Sequence, residues 1–236
     1  GIMLGRQLSD QKQSAEAFDN IADMVVNETE PDTAEQPEET GEPEAPPALT
    51  AYEKYAVVYE QNPDFVGWIS IDGTNINYPV MQTPSDPDFY LKHAFDKSYS
   101  DYGVPYVQEN CDLEQSDNVV IYGHHMKNGS MFGTFRTLHE PENLTSPYLW
   151  ICLPDKSYRY EIFTVHTTSA TGDTYTLFSA PDDQFAQYLK KMRDASEFEV
   201  GTEPTKDDKI VTLSTCTGND ATRFVIQARR LPEVYK

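Results

Sequence analysis

Short runs in which apolar and polar residues alternate recur along most of the chain, and each reads as a strand. Phe65–Ile71 and Thr74–Val80 flank Asp72-Gly73, a signal for a two-residue hairpin. Val104–Val107, Asn118–Gly123, Tyr148–Leu153, Tyr158–Thr167, Lys209–Thr215 and Arg223–Leu231 complete eight candidate strands. Most are joined by loops without regular helices, which favours a mainly β fold, a closed or nearly closed eight-stranded barrel, over a parallel α/β sheet.

Helical spacing occurs in four places. Tyr52, Tyr55, Ala56 and Tyr59 share one face behind a capping box at Thr50–Glu53, and Asn62-Pro63 ends that helix. In Pro181–Phe198, Phe185, Tyr188, Leu189 and Met192 line one face, with Asp182 and Asp183 at its positive end. A shorter piece is expected at Met131–Leu138. Near the N-terminus, Leu8, Ala15, Phe18, Ala22 and Val25 form a narrow stripe, suited to packing on the domain or pairing with another chain.

Charge divides the chain. Its 236 residues carry 18 Lys plus Arg against 39 Asp plus Glu, a net of -21. Residues 1–50 hold two basic and twelve acidic residues, and Asn27–Ala48 has five prolines, eight carboxylates and no aromatic residue. Such a stretch buries too little apolar area to offset the entropy of ordering, so 27–48 is expected to be a disordered acidic linker. It would separate an N-terminal helical segment, 1–26, from a β-barrel domain, 49–236. The acidic balance excludes nucleic acid, whose phosphates require a basic surface, and a polybasic contact with anionic lipid. No run reaches the roughly eighteen apolar residues of a membrane span. Gly1–Arg6 turns abruptly from apolar to polar, as the last turn of a removed membrane anchor would, or as an ordinary start would.

Three cysteines, Cys111, Cys152 and Cys216, are too few for a disulfide framework and show no CxxC spacing. Cys111 in a loop and Cys152 within a strand read as structural, and a disulfide between them is not expected. Cys216 ends Lys209-Ile-Val-Thr-Leu-Ser-Thr-Cys and precedes the polar Thr217–Asp220, so its thiol stands at a strand's mouth. A nucleophile and a small core hydrophobe are equally compatible with that position. His124 and His125 follow Asn118–Gly123, where glycine permits a sharp turn or a close approach. A histidine near a thiol is the usual base for its activation; two water-exposed loop histidines are the plain alternative. A metal would need both adjacent rings turned inward with Cys216, and no metal or cofactor is expected. Arg223 opens the last strand seven residues after Cys216, close enough for a tight connection to bring guanidinium and thiol together. There it would favour a thiolate and donate to an oxyanion; otherwise it is a surface cation. Arg229 and Arg230 lie further along and are expected to balance nearby carboxylates.

Gly123-His124, Thr212-Leu-Ser-Thr-Cys216 and the following Arg223 together resemble the signatures of the sortase transpeptidases of Gram-positive bacteria. Asn62–Ile69, Asp72–Met81 and Ile121–Phe132, with the helix inserted before the cysteine strand, resemble the class B branch. The resemblance spans roughly Leu49 to Leu231 and implies an eight-stranded barrel. It implies that Cys216 is the nucleophile, His124 the acid–base and Arg223 the catalytic arginine, with His125 uninvolved. The seven-residue step from Cys216 to Arg223 is shorter than in some class B members. The reaction implied is cleavage of a sorting motif after Thr through a thioacyl-enzyme, then transfer to an amine. The implied partners are a sorting-signal-bearing surface protein and, as acceptor, a cell-wall precursor peptide or a pilin lysine. The implied location is the extracellular face of the cell membrane, held by a single-pass N-terminal anchor. Thr215, on the opposite side of its strand, is a candidate for ordering the site. Two other readings use the same residues: a non-catalytic adhesin or pilus module on an acidic stalk, and a thiol hydrolase whose acceptor is water.

Overall fold

The computed structural model describes residues 2–27 and 51–236. Of the expected linker 27–48 only Asn27 is described, as the last residue of a helix; residues 28–48 and the capping Thr50 lie outside the described residues. Eight strands close a barrel: β1 (Phe65–Ile71), β2 (Asn77–Met81), β3 (Tyr106–Val107), β4 (Asn118–Tyr122), β5 (Tyr148–Cys152), β6 (Ser157–Ser169), β7 (Ile210–Cys216) and β8 (Thr222–Tyr235). Their order around it is β1-β2-β3-β4-β7-β8-β6-β5, and β5 returns to pair with β1. The β2–β3 and β4–β7 neighbours are parallel and the others antiparallel. Closure leaves no open edge, which is how an antiparallel-rich sheet avoids unpaired backbone groups.

The barrel interior is filled by aliphatic and aromatic side chains from alternate strand positions, among them Ile69, Val80, Ile121, Ile151, Ile162 and Leu213. A second cluster joins the outside of β1 to the helices α1 (Ile2–Asn27) and α2 (Ala51–Gln61) through Ile21, Tyr55, Val58, Phe65 and Trp68. After a one-turn helix α3 (Phe135–Leu138), α4 (Asp183–Asp194) buries Phe185, Tyr188, Leu189 and Met192 against β6 and β7, the face its spacing predicts. The Asp182 carboxylate caps α4, accepting from the amides of Gln184 and Phe185.

Several local expectations are corrected. Asp72-Gly73 does not make a two-residue hairpin, because β2 begins only at Asn77. The Thr74 hydroxyl donates to the Ile71 carbonyl and accepts from the Ile76 amide, holding a longer loop in which Gly73 has φ +75°. The helix expected at Met131–Leu138 shrinks to its last four residues. Among the described side chains of α1, which do not include that of Val25, Ser14 and Ile21 are buried and Phe18 is half-buried, whereas Leu8 is 62% exposed and Ala15 is exposed. That rotation follows from an anchor with no apolar signal: the Asp10 carboxylate accepts from the Ser100 hydroxyl and the Asp101 amide. Phe18 then meets Tyr78 edge to face at 5.3 Å.

Within the described residues the expected single-pass N-terminal anchor, and a location argued from it, find no support. Among the described residues no helix is long and apolar enough to cross a membrane. Arg6, Asp10, Lys12, Glu16, Asp19 and Asp23 recur along α1, and each charge at a bilayer centre costs about 3 kcal/mol.

Candidate active site

Two strand pairings bring the three sequence candidates to one rim of the barrel. In the antiparallel β7–β8 ladder, Cys216 and Arg223 are direct partners. Such partners project to the same face with Cβ atoms about 4.5–5.5 Å apart. The connection between them is tight, with Gly218 at φ +95° and the Thr217 and Thr222 hydroxyls hydrogen-bonded at 2.6 Å. In the parallel β4–β7 ladder Tyr122 lies beside Ser214, and the Gly123 amide extends the pairing to the Ser214 carbonyl at 3.1 Å. His124 therefore emerges where β7 ends in Cys216. Gly123 is there for proximity rather than for a turn, since a Cβ at this position would sit 2.7 Å from the Phe132 ring.

Cys216, His124 and Arg223 line one cleft of about 530 Å³, together with Tyr106, Tyr122, Tyr175, Asp88 and Glu109. Cys216 is exposed. The structure thus keeps the sulfur open to solvent and within the same cavity wall as the imidazole and the guanidinium.

His124 is held by a segment that carries no sequence signal. Its Nε2 lies 2.5 Å from the Leu91 carbonyl oxygen. A carbonyl can only accept, so Nε2 carries the hydrogen and Nδ1 is the nitrogen left for proton transfer. The His124 ring is half-buried, and burial pushes its pKa below the usual histidine value. The Leu91 hydrogen bond and the Asp101 charge oppose that shift, and Lys92 adds to it. Gly103, at φ +58°, makes the packing possible: a Cβ there would lie 2.3 Å from the Tyr90 carbonyl oxygen and 3.2 Å from His124 Cδ2.

Arg223 is oriented by its own loop. Its Nη1 donates to the carbonyls of Asp220 and Thr222, at 2.9 and 2.8 Å. Among the described residues Nε and Nη2 have no such partner, so part of the planar fork stays available to a ligand. Ser214, two residues before Cys216 on β7, hydrogen-bonds the Tyr175 hydroxyl at 2.7 Å and fixes one wall of the cleft. The i, i+2 relation to Cys216 is the sequence signal that identifies it. Thr215 is different: its hydroxyl is buried and has no hydrogen-bond partner among the described residues, so no bond of its own orders the site.

The remaining candidates separate cleanly. His125 does not share the His124 cleft; its Nδ1 lies 2.7 Å from the Cys216 carbonyl oxygen. Arg229 pairs with Glu161 at 2.7 Å. Arg230 bonds the Leu113 and Glu114 carbonyls and the Tyr160 hydroxyl, stacks on Tyr158 and adds to the positive charge that lowers the Glu114 pKa, because β8 has carried it to the opposite end of the barrel from Arg223. Cys111 is buried with its thiol near the Asn118 carbonyl, and Cys152 shares a side-chain hydrogen bond with Tyr55. No disulfide links the two.

The sequence matches the Sortase domain over residues 69–231. It is 35% identical over 176 residues to Sortase B of Listeria monocytogenes, an alignment covering 71% of this chain and 70% of that protein. The solved sortase B of Clostridium perfringens is 31% identical with a TM-score of 0.70, over 75% of this chain and 98% of the other. That of B. anthracis has a TM-score of 0.78 at 26% identity, over 96% and 100% of the two chains. Because sequence likeness and barrel likeness coincide along nearly the whole domain, the chain belongs to the sortase family, in its class B branch, and is a cysteine transpeptidase.

Proposed function

We propose that Cys216 is the nucleophile, His124 the general acid–base and Arg223 the donor that holds the reacting carbonyl, within a catalytic domain spanning residues 49–236. The observation that carries this reading is the single cleft whose wall contains all three side chains. The Cys216 sulfur attacks the carbonyl carbon of Thr in a sorting motif of the Asn-Pro-x-Thr type. The free N–H groups of Arg223 neutralise the developing oxyanion, a role whose loss typically costs about 3 kcal/mol of barrier. His124 gives a proton from Nδ1 to the leaving amine as the C–N bond breaks, and later takes one from the incoming amine. The acceptor is a cell-wall peptide or pilin amine. Tyr106, Tyr122 and Tyr175 offer ring faces on which the proline of the motif can pack.

With its pKa lowered by burial, His124 carries little imidazolium at neutral pH. The reactive thiolate–imidazolium pair is then a minority form, and turnover is slow. The test is incubation with an Asn-Pro-x-Thr peptide followed by mass spectrometry. A thioacyl adduct on Cys216, absent from Cys216→Ala, is the expected result. Cleavage that survives Cys216→Ala would discard the assignment. Hydrolysis product with no amide product when an amine is added would instead favour the hydrolase reading.

A further inference from the structure

Cys216 belongs to the walls of two clefts. Besides the one shared with His124 and Arg223, it lines a second of about 630 Å³ with His125, Lys127, Arg136, Thr217 and Gly218 among others. The two differ in charge. The first sets Asp88 and Glu109 beside Arg223, whereas no Asp or Glu lines the second. In a chain of net charge -21, a cationic, carboxylate-free cavity is unexpected. Lys127 and Arg136 are exposed and, among the described residues, enter no ion pair. Most other described lysines do. Gly129 and Gly218, both at positive φ, have nothing within 4 Å of where a Cβ would stand, so the floor is open.

We infer that this second cleft binds the acceptor, and that the acceptor is a peptide amine flanked by carboxylates. The inference rests on the proposed role of Cys216. A two-substrate reaction at one sulfur needs two approaches, since the acylated motif fills the first cleft when the amine arrives. The Lys127 and Arg136 cations attract the acceptor's carboxylates. They also disfavour a protonated amine nearby, which raises the fraction in the attacking, neutral form. In the step itself the amine nitrogen bonds to the thioacyl carbon and the carbon–sulfur bond breaks. The electron pair leaves with Cys216 sulfur, and the proton lost by nitrogen passes to His124 and then restores the thiol. No oxidant or further reactant enters.

The experiment uses the enzyme acylated by an Asn-Pro-x-Thr peptide and three glycyl acceptors: Gly-Gly-Glu-Glu, Gly-Gly-Ser-Ser and Gly-Gly-Lys-Lys. Amide product is measured against hydrolysis product. The wild-type enzyme is expected to prefer the acidic over the basic acceptor in kcat/KM, and the preference should weaken as salt is raised. In the Lys127→Glu/Arg136→Glu double variant the acidic-to-basic ratio should fall about tenfold or more, through KM of the acceptor, and the basic peptide should become the better one. Because the ratio is taken within one protein, a general loss of activity cancels. Equal use of the three acceptors by the wild type, or a ratio unmoved by charge reversal, overturns the acceptor assignment while leaving the thioacyl chemistry intact. Failure to form any thioacyl species on Cys216 overturns the parent reading and this inference with it.

Discussion

His125 Nδ1 lies 2.7 Å from the carbonyl oxygen of Cys216, tying the loop after β4 to the end of β7. The carbonyl must accept, so Nδ1 carries the hydrogen. The residue beside the acid–base candidate therefore holds the backbone of the nucleophile candidate. The expected effect of His125→Ala is a five- to tenfold loss of kcat for acylation, about what one hydrogen bond contributes, with little change in donor KM. His125→Asn, which keeps a donor amide, should recover part of it. Single-turnover kinetics on the three proteins checks this; equal loss in both variants would contradict a role for the donor.

Asp101 raises the affinity of His124 for its proton and Lys92 lowers it, while the two are paired at 2.9 Å. Asp101→Asn removes the favourable charge and unmasks the unfavourable one, so the His124 pKa should fall further. The acid limb of the kcat/KM profile, already below the usual histidine range, is then expected to move to lower pH. Titration of the His124 ring protons by NMR should move in the same direction.

Arg223 spends Nη1 on the Asp220 and Thr222 carbonyls and leaves Nε and Nη2 toward the cleft. A lysine offers a point charge without the fork. Arg223→Lys should lower kcat/KM for the sorting peptide about a hundredfold with the fold unchanged by circular dichroism. Full activity in this variant would remove the oxyanion role.

His166 is 2% exposed, and burial lowers its pKa to about 4, with His139 adding to the shift and Glu197 opposing it. Its Nε2 is buried without a hydrogen-bond partner among the described residues. The unfolded chain takes up this proton near pH 6.5 and the folded one only near 4, so stability falls as pH drops through that window. Urea unfolding at pH 7.5 and pH 4 should show the wild type losing about 3 kcal/mol more than His166→Gln.

How legible was all this? Strands β4 and β7 are visible because each is a short apolar run ended by a polar or glycine step, and β7 places its thiol at that end. The α4 face is visible because Phe185, Tyr188, Leu189 and Met192 repeat at helical spacing. Asp72-Gly73 reads as a hairpin and is not one, because the Thr74 hydroxyl competes locally for backbone groups, an effect residue pairs alone do not encode. The α1 face departs from its apolar stripe because Asp10, a polar residue outside any hydrophobic pattern, decides the rotation.

By itself the sequence determined strand periodicity and the barrel class, which follow from short-range spacing, and through its resemblance to a family it singled out three candidate side chains. Tertiary structure alone decided which nitrogen of His124 bears hydrogen, that His125 grips the Cys216 carbonyl, and that Cys216 lines two clefts, one of them free of carboxylates. Those contacts join residues 33 and 91 positions apart. A hydrogen bond or a shared cavity wall at such separation leaves no periodic trace in the chain, because it depends on where closure of the barrel brings two strand ends.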